Sequence, residues 1–166
     1  MTTFQDWLQM KDACDEAREW VGDRDAETAW RECQRPDWML WACGRLKLDR
    51  KLFVAIACRI ARGLLYLVPA SEDRPRIALE TTERWLRGDA TLDEVNEARD
   101  NAYAASKDGN WAGAAYAATA PSSLAPHTYA TYTTYIGTPA SQTKRAAECA
   151  DIVREIIPWA TVKAAL

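Results

Sequence analysis

Apolar residues recur at three- and four-residue spacing along most of the chain, and this spacing predicts amphipathic α-helices. Thr3 is suited to cap a first helix, which opens with Phe4. The apolar stripe then continues towards Val21 until Gly22 stops it. Asp25 is predicted to cap the segment that follows.

The middle of the chain contains the most apolar segment. Asp37, after Pro36, is predicted to cap a helix that reads WMLWACGRL. Asp49 is predicted to open a longer helix that runs through Leu67. Apolar residues surround nearly the whole circumference of this helix, so we expect it to be the central buried one. Pro69 is expected to end it.

Two further helices are expected before residue 109. One starts at 73–75, where Pro75 suits the first turn, and is closed by Gly88. The other starts at Thr91, which forms a capping box with Glu94. Its predicted inward-facing residues are Leu92, Val95, Ala98, Ala102 and Ala105.

The remaining third of the chain also favours helix. Residues 111–120 form an Ala-rich predicted helix, and 121–126 a loop. The segment 128–136 is ambiguous, because Thr and Tyr favour a strand whereas tyrosines at every third position suit a helix; we favour helix. A last helix is expected from 138 to 157, with 159–166 as a short tail. Its predicted inner face comprises Ala146, Cys149, Ala150, Val153 and Ile157.

These patterns together predict an all-α fold. With 166 residues, one domain spanning 1–166 is expected, built as a bundle or short array of about seven to eight helices. The net charge of −3 argues against a general nucleic-acid binder. No signal peptide or membrane span is visible, since the apolar run 52–68 is interrupted by arginine and glycine. A cytoplasmic protein is therefore predicted.

Five cysteines and a single histidine leave little room for metal or thiol chemistry. The cysteines are odd in number and form no C-x-x-C pair, so we expect buried free thiols in a reducing compartment. Acidic clusters near residues 12–16 and 23–27 are expected to be solvated helix faces and caps. No metal site and no cofactor are predicted.

One segment differs from the rest in its charge. From Gly109 to Thr143 the chain has no Asp, Glu, Lys or Arg, yet it holds one tryptophan and four tyrosines. Such side chains supply large contact areas at recognition surfaces. The candidate contact residues are Trp111, Tyr116, His127, Tyr129, Tyr132 and Tyr135.

Catalytic motifs are not found in the sequence. It has no G-x-S-x-G, Walker A, G-x-G-x-x-G or H-E-x-x-H pattern. Any Ser–His or Cys–His pair would depend on His127, which follows Pro126 in a predicted loop and is better explained as a contact residue. A non-enzymatic protein is therefore expected.

Arg45, Arg59 and Arg62 lie in or near the apolar central helix, where a guanidinium needs a partner. Two interpretations remain open. The arginines could form internal ion pairs with a carboxylate such as Glu80 or Glu94. Alternatively, they could bind the phosphate of a nucleotide, whose base would stack on tyrosines of the neutral segment.

Several stretches resemble one family. They are the N-terminal DWL, then RDAETAWRECQRPDWMLWACGRL, ACRIARGLLYLVP, EDRPRIALETTERWLRGDAT and finally CADIVREIIPW. This series resembles the Imm-5-like immunity proteins of bacterial polymorphic-toxin loci and their phage-encoded relatives. The resemblance implies an all-α fold and inhibition by binding. It supplies no catalytic or ligand residues.

Two functions are expected from these observations. The first is a non-enzymatic inhibitor that neutralises a bacterial toxin or, if the gene is viral, a host defence protein. The second is a helical protein that sequesters a nucleotide-like small molecule through Arg and Tyr residues. Self-association into a homo-oligomer is plausible for an aromatic-rich helical surface.

Overall fold

The computed structural model of the protein describes residues 3–105 and 139–166. Helices and one short 3-10 turn, Leu65–Leu67, make up the regular structure of these residues, without a strand among them. The all-α prediction is therefore confirmed. The helices are α1 (Phe4–Met10), α2 (Asp15–Val21), α3 (Ala26–Glu32), α4 (Pro36–Arg45), α5 (Arg50–Arg62), α6 (Arg74–Arg87), α7 (Leu92–Ala105), α8 (Pro139–Ile156) and α9 (Trp159–Ala165).

Most of the predicted helix starts are confirmed by side-chain caps. Thr3 caps α1 in a reciprocal capping box, and Asp25 accepts a hydrogen bond from the backbone at the start of α3. Asp49 does the same for α5, and Thr91 with Glu94 forms the predicted box at α7. Because each side chain satisfies an N–H group that lacks a partner within the helix, these short polar residues fix where the helices begin.

The start of α4 differs from the prediction. Pro36 is the first helical residue and Arg35 occupies the N-cap position, so Asp37 lies within the first turn and is not the cap. Proline suits this position, because its fixed φ matches the helix and its missing N–H group would have had no partner there.

The central helix is shorter than predicted. α5 ends at Arg62, not at Leu67, because Gly63 forms the C-cap and the chain then tightens into the 3-10 turn. Its buried position is confirmed: Ile56 is completely buried, as is Leu40 of α4, and both belong to the same core cluster. Truncation of either residue to alanine would cost about 2–5 kcal/mol.

The helix α8 supplies the other side of the core. It packs against α4 and α5, and its predicted inner face is confirmed because Ala146, Cys149, Ala150, Val153 and Ile157 are all buried. The helices α6 and α7 form a close pair through small side chains, with Ala78, Ala98 and Ala102 buried between them. Leu92 was expected to face inward but is 49% exposed, since it lies in the first turn, beyond this contact.

The described residues contain more helices than the seven or eight expected. A turn between Met10 and Asp15 divides the N-terminal stripe into α1 and α2, and the predicted tail forms the helix α9. α9 packs back onto α3, which brings the end of the described chain against its N-terminal helices. Within 3–105 and 139–166, no helix is long and apolar enough to cross a membrane.

Candidate functional site

A cavity of about 470 Å³ lies among the N-terminal helices, α4 and α9. This volume falls within the range of small-molecule pockets, about 300–1,000 Å³. Six of the eight tryptophans of the chain line it. They are Trp7, Trp20, Trp30, Trp38, Trp41 and Trp159.

The aromatic side chains are held by contacts with one another. Trp7 stacks on Phe4 and meets Trp41 edge-on, with ring centroids 5.7 and 6.2 Å apart. Trp20 of α2 lies 6.0 Å from Trp38 of α4 in a tilted pair. Aromatic pairs in these geometries contribute about 0.5–1.5 kcal/mol beyond the area they bury. The walls of the cavity are therefore braced across different helices.

The turn that closes α1 contains an acidic residue, Asp12, whose position is determined by the backbone conformation. Asp12 adopts a left-handed conformation with φ of 59°. Its N–H donates to the carbonyl of Gln9, and that of Ala13 donates to Leu8, which together make a Schellman motif. Apolar residues occupy the two positions that typically meet in this motif, and both, Leu8 and Ala13, belong to one core cluster. This turn places the exposed Asp12 in the lining of the cavity, in no ion pair with any described residue.

The cavity has a single basic residue in its described lining, Arg35, and this residue already has partners. Its guanidinium binds both carboxylate oxygens of Asp37, at 3.0 and 2.7 Å, and reaches Glu16 at 3.4 Å. The same group lies over the ring of Trp38, 4.3 Å from its centroid. Because both carboxylates also line the cavity, its charged groups carry a net negative charge.

Two more arginines lie over tryptophan rings of this site. Arg24 lies 4.9 Å from the centroid of Trp20, and Arg45 lies 5.4 Å from that of Trp41. The face of an indole ring attracts cations through its quadrupole. The tryptophans of this site thus already bind guanidinium groups of the chain itself.

Two indole N–H groups in the cavity wall have no acceptor. The Nε1 atoms of Trp30 and Trp159 are shielded from solvent and form no hydrogen bond in the described structure. Trp30 as a whole is only 7% exposed. Buried donors without acceptors are rare in folded proteins and cost about 1–3 kcal/mol each.

The cysteines around the site differ in exposure. Cys14 lines the cavity and is exposed, which corrects the expectation that all five thiols are buried. It occupies the N-cap position of the short helix α2, where its side chain makes no capping hydrogen bond. The other four are buried as expected, and burial raises the pKa of Cys43 and Cys58 to about 12.

The predicted arginine residues do not share one site in the described contacts. Arg45 lies over Trp41, as described above, whereas Arg59 approaches Glu155 at 3.8 Å. Arg62 binds Glu83 through two hydrogen bonds of 2.8 and 2.5 Å, and this contact raises the pKa of Arg62.

Arg59 and Arg62 therefore do face carboxylates, but the pairs are partly exposed and not internal, and the suggested partners are not the observed ones. Glu80 binds Arg76, four residues earlier on its own helix, and Glu94 lies 3.6 Å from Arg84. Helical spacing explains the first of these pairs, since residues i and i+4 share one face.

The candidate contact residues of the neutral segment lie outside the described residues, as do the predicted helices 111–120 and 128–136. The predictions for them remain predictions. The residues concerned are Trp111, Tyr116, His127, Tyr129, Tyr132 and Tyr135.

Sequence reasoning missed the cavity, because tryptophans at helical spacing are most simply explained as core residues. The available signal was their density: five of the eight fall between positions 7 and 41. Within the two described ranges, no group of three or more His, Cys, Asp or Glu side chains is arranged to hold a metal ion.

Comparison with protein-family models, with curated proteins and with solved structures gave no match. The resemblance to Imm-5-like immunity proteins therefore remains a prediction from the sequence.

Proposed function

We propose that this chain is a non-enzymatic binding protein that sequesters a small molecule in its tryptophan-lined cavity. The observation that carries the proposal is the convergence of six tryptophans, from α1, α2, α3, α4 and α9, on one space of about 470 Å³. Ligand pockets are typically apolar and aromatic, with a few polar groups that orient the ligand. A ligand that carries an acceptor could also satisfy Trp30 or Trp159 if the ring turns its N–H towards the cavity.

The cavity is a better candidate than the arginines for such a site. The nucleotide hypothesis needs Arg45, Arg59 or Arg62 to bind a phosphate. Arg62 already holds Glu83 through two hydrogen bonds, and Arg59 lies beside Glu155. A phosphate at Arg59 or Arg62 would have to displace these carboxylates, and Arg45 contacts the ring of Trp41 and shares no described contact with the other two.

Inhibition of a protein partner is the second candidate. Its support is the resemblance to immunity proteins, together with exposed apolar side chains on α6 and α7. Ile77 is 42% exposed and Tyr103 is 51% exposed, and Tyr103 lies two residues before the described end of α7 at Ala105. The charge-free segment follows shortly afterwards, so these residues could extend its contact surface. The partner would be a bacterial toxin or a host defence protein.

Native mass spectrometry of the protein, purified gently from a bacterial lysate, tests the first candidate. We expect an added mass that is lost on denaturation. The matched variant is Ala42→Leu, which fills part of the cavity from the half-buried face of α4. The control Ala104→Leu adds the same bulk at an exposed position of α7.

The outcomes separate the two candidates. Loss of the added mass in Ala42→Leu but not in Ala104→Leu supports sequestration in the cavity. An adduct that survives in both variants would place the ligand elsewhere. Rescue of growth on co-expression with a toxin, abolished by alanine at the six aromatic candidate positions of the neutral segment, would support protein inhibition.

A further inference from the structure

We infer that the ligand of the tryptophan-lined cavity is an organic cation, an ammonium or amidinium group attached to an aromatic or other apolar body. The inference rests on the proposed function and concerns the same site. It follows from the charges in the described lining and from the way in which the tryptophan rings already bind cations.

The ionisable lining favours positive charge. Asp12, Glu16 and Asp37 contribute three carboxylates, against the one guanidinium of Arg35. Arg35 is shared between Glu16 and Asp37, so Asp12 is left without an ion pair to a described residue. A cation entering the cavity would gain this carboxylate as a partner, whereas an anionic ligand would meet like charge at close range.

The aromatic walls favour the same class of ligand. Three rings of the lining, those of Trp20, Trp38 and Trp41, each have an arginine 4.3 to 5.4 Å from the ring centroid. Each of these contacts already occupies one face of its ring, whereas Trp7, Trp30 and Trp159 of the lining have no cation over their rings among the described residues. Enclosure by several aromatic rings is the arrangement that recognises quaternary ammonium groups. A cation with an apolar body would therefore use both the rings and the apolar floor of the cavity.

The test compares two probes of nearly the same shape. Benzyltrimethylammonium carries a positive charge, and neopentylbenzene replaces its nitrogen by carbon. We expect titration of the tryptophan fluorescence to show binding of the cation at least about fivefold tighter than its neutral isostere. Raising the salt concentration should weaken binding of the cation. The affinity for the neutral probe should stay the same or increase slightly.

Asp12→Asn is the diagnostic variant, because asparagine tolerates the left-handed conformation of this residue and removes only the charge. We expect it to weaken binding of the cation by about two- to fivefold, as for an exposed ion pair, and to leave the neutral probe unchanged. The unchanged neutral probe also shows that the variant is folded. Glu97→Gln removes a carboxylate from the exposed face of α7 and should change neither affinity.

Three outcomes decide the inference. A cation preference that depends on Asp12 supports it. Equal affinities for the two probes, or equal losses in Asp12→Asn and Glu97→Gln, would overturn the cation inference and leave a cavity for neutral ligands. Failure of both probes to bind would overturn the inference together with the proposed function.

Discussion

The guanidinium of Arg154 donates a hydrogen bond of 2.7 Å to the main-chain oxygen of Cys33, 121 residues earlier in the chain. The same Nη1 atom lies 3.2 Å from the main-chain oxygen of Trp30. Both carbonyls are at the C-terminal end of α3, where the helix leaves its last oxygen atoms without partners and cations are favoured. Arg154 thereby joins α8 to the wall of the cavity.

Removal of this contact should destabilise the fold. We expect Arg154→Ala to lower the free energy of unfolding by about 1.5–3 kcal/mol, because charged hydrogen bonds to two carbonyls are lost. The free energy of unfolding of Arg154→Lys should lie between those of Arg154→Ala and the wild type, since lysine keeps the charge but lacks the planar guanidinium. Urea denaturation measures the change.

The control for this prediction is Arg87→Ala, whose side chain is largely exposed and pairs with Asp89 at 3.4 Å. It should change stability by less than about 1 kcal/mol. If the Arg154 and Arg87 variants lose equal stability, the proposed bridge from α8 to α3 makes no special contribution.

Acid should weaken the helix caps. The backbone N–H of Thr28 lowers the pKa of Asp25 below its ordinary value of 3.8, and that of Thr91 lowers the pKa of Glu94 below 4.5. At pH values between the folded and the ordinary pKa of each carboxyl group, the unfolded chain binds protons more readily than the folded chain. The stability that these carboxylates provide is therefore present above their ordinary pKa values and is lost as the pH falls through the folded ones.

Asp25→Asn tests this dependence, because asparagine caps a helix without ionising. We expect its melting temperature to fall less steeply than that of the wild type when the pH is lowered below 3.8 towards the folded pKa of Asp25. Identical acid profiles for the two proteins would show that the ionised cap of Asp25 contributes nothing.

Thiol reactivity should distinguish Cys14 from the others. A maleimide near neutral pH is expected to modify Cys14 quickly, whereas Cys43 and Cys58, with pKa values raised to about 12 by burial, should react only after unfolding. Mass spectrometry after limited labelling gives the number and position of the adducts, with Cys14→Ser as the control. Fast modification of several thiols in the folded protein would contradict the burial of the other four cysteines.

The pair Arg62 and Glu83 is expected to be structural and weak. Both side chains are partly exposed, so a double-mutant cycle with Arg62→Ala and Glu83→Gln should give a coupling of about 0.2–1 kcal/mol. If instead Arg62→Ala abolished binding of a nucleotide without altering stability, the phosphate hypothesis would regain its support.

Local features of the fold could be predicted because neighbouring residues determine them. Thr3, Asp25, Asp49 and the pair Thr91–Glu94 cap helices through side chains within three positions of the capped N–H. The same reasoning placed Asp37 wrongly, because the proline before it determined the first turn.

The cavity could not be predicted in this way. It depends on how α1, α2 and α3 pack against α4 and α9, and the helical spacing of Trp38 and Trp41 is the same for a filled core and for an open pocket. The partners of Arg59 and Arg62 likewise come from other helices, whose relative rotation local patterns do not determine.

The most direct test of the central claim is a titration of the wild-type protein with benzyltrimethylammonium, followed by tryptophan fluorescence and repeated on Ala42→Leu and Ala104→Leu. The account predicts saturable binding in the wild type and in Ala104→Leu, and much weaker binding in Ala42→Leu, in which leucine occupies part of the cavity. Equal binding by all three proteins, or no binding by the wild type, would contradict it.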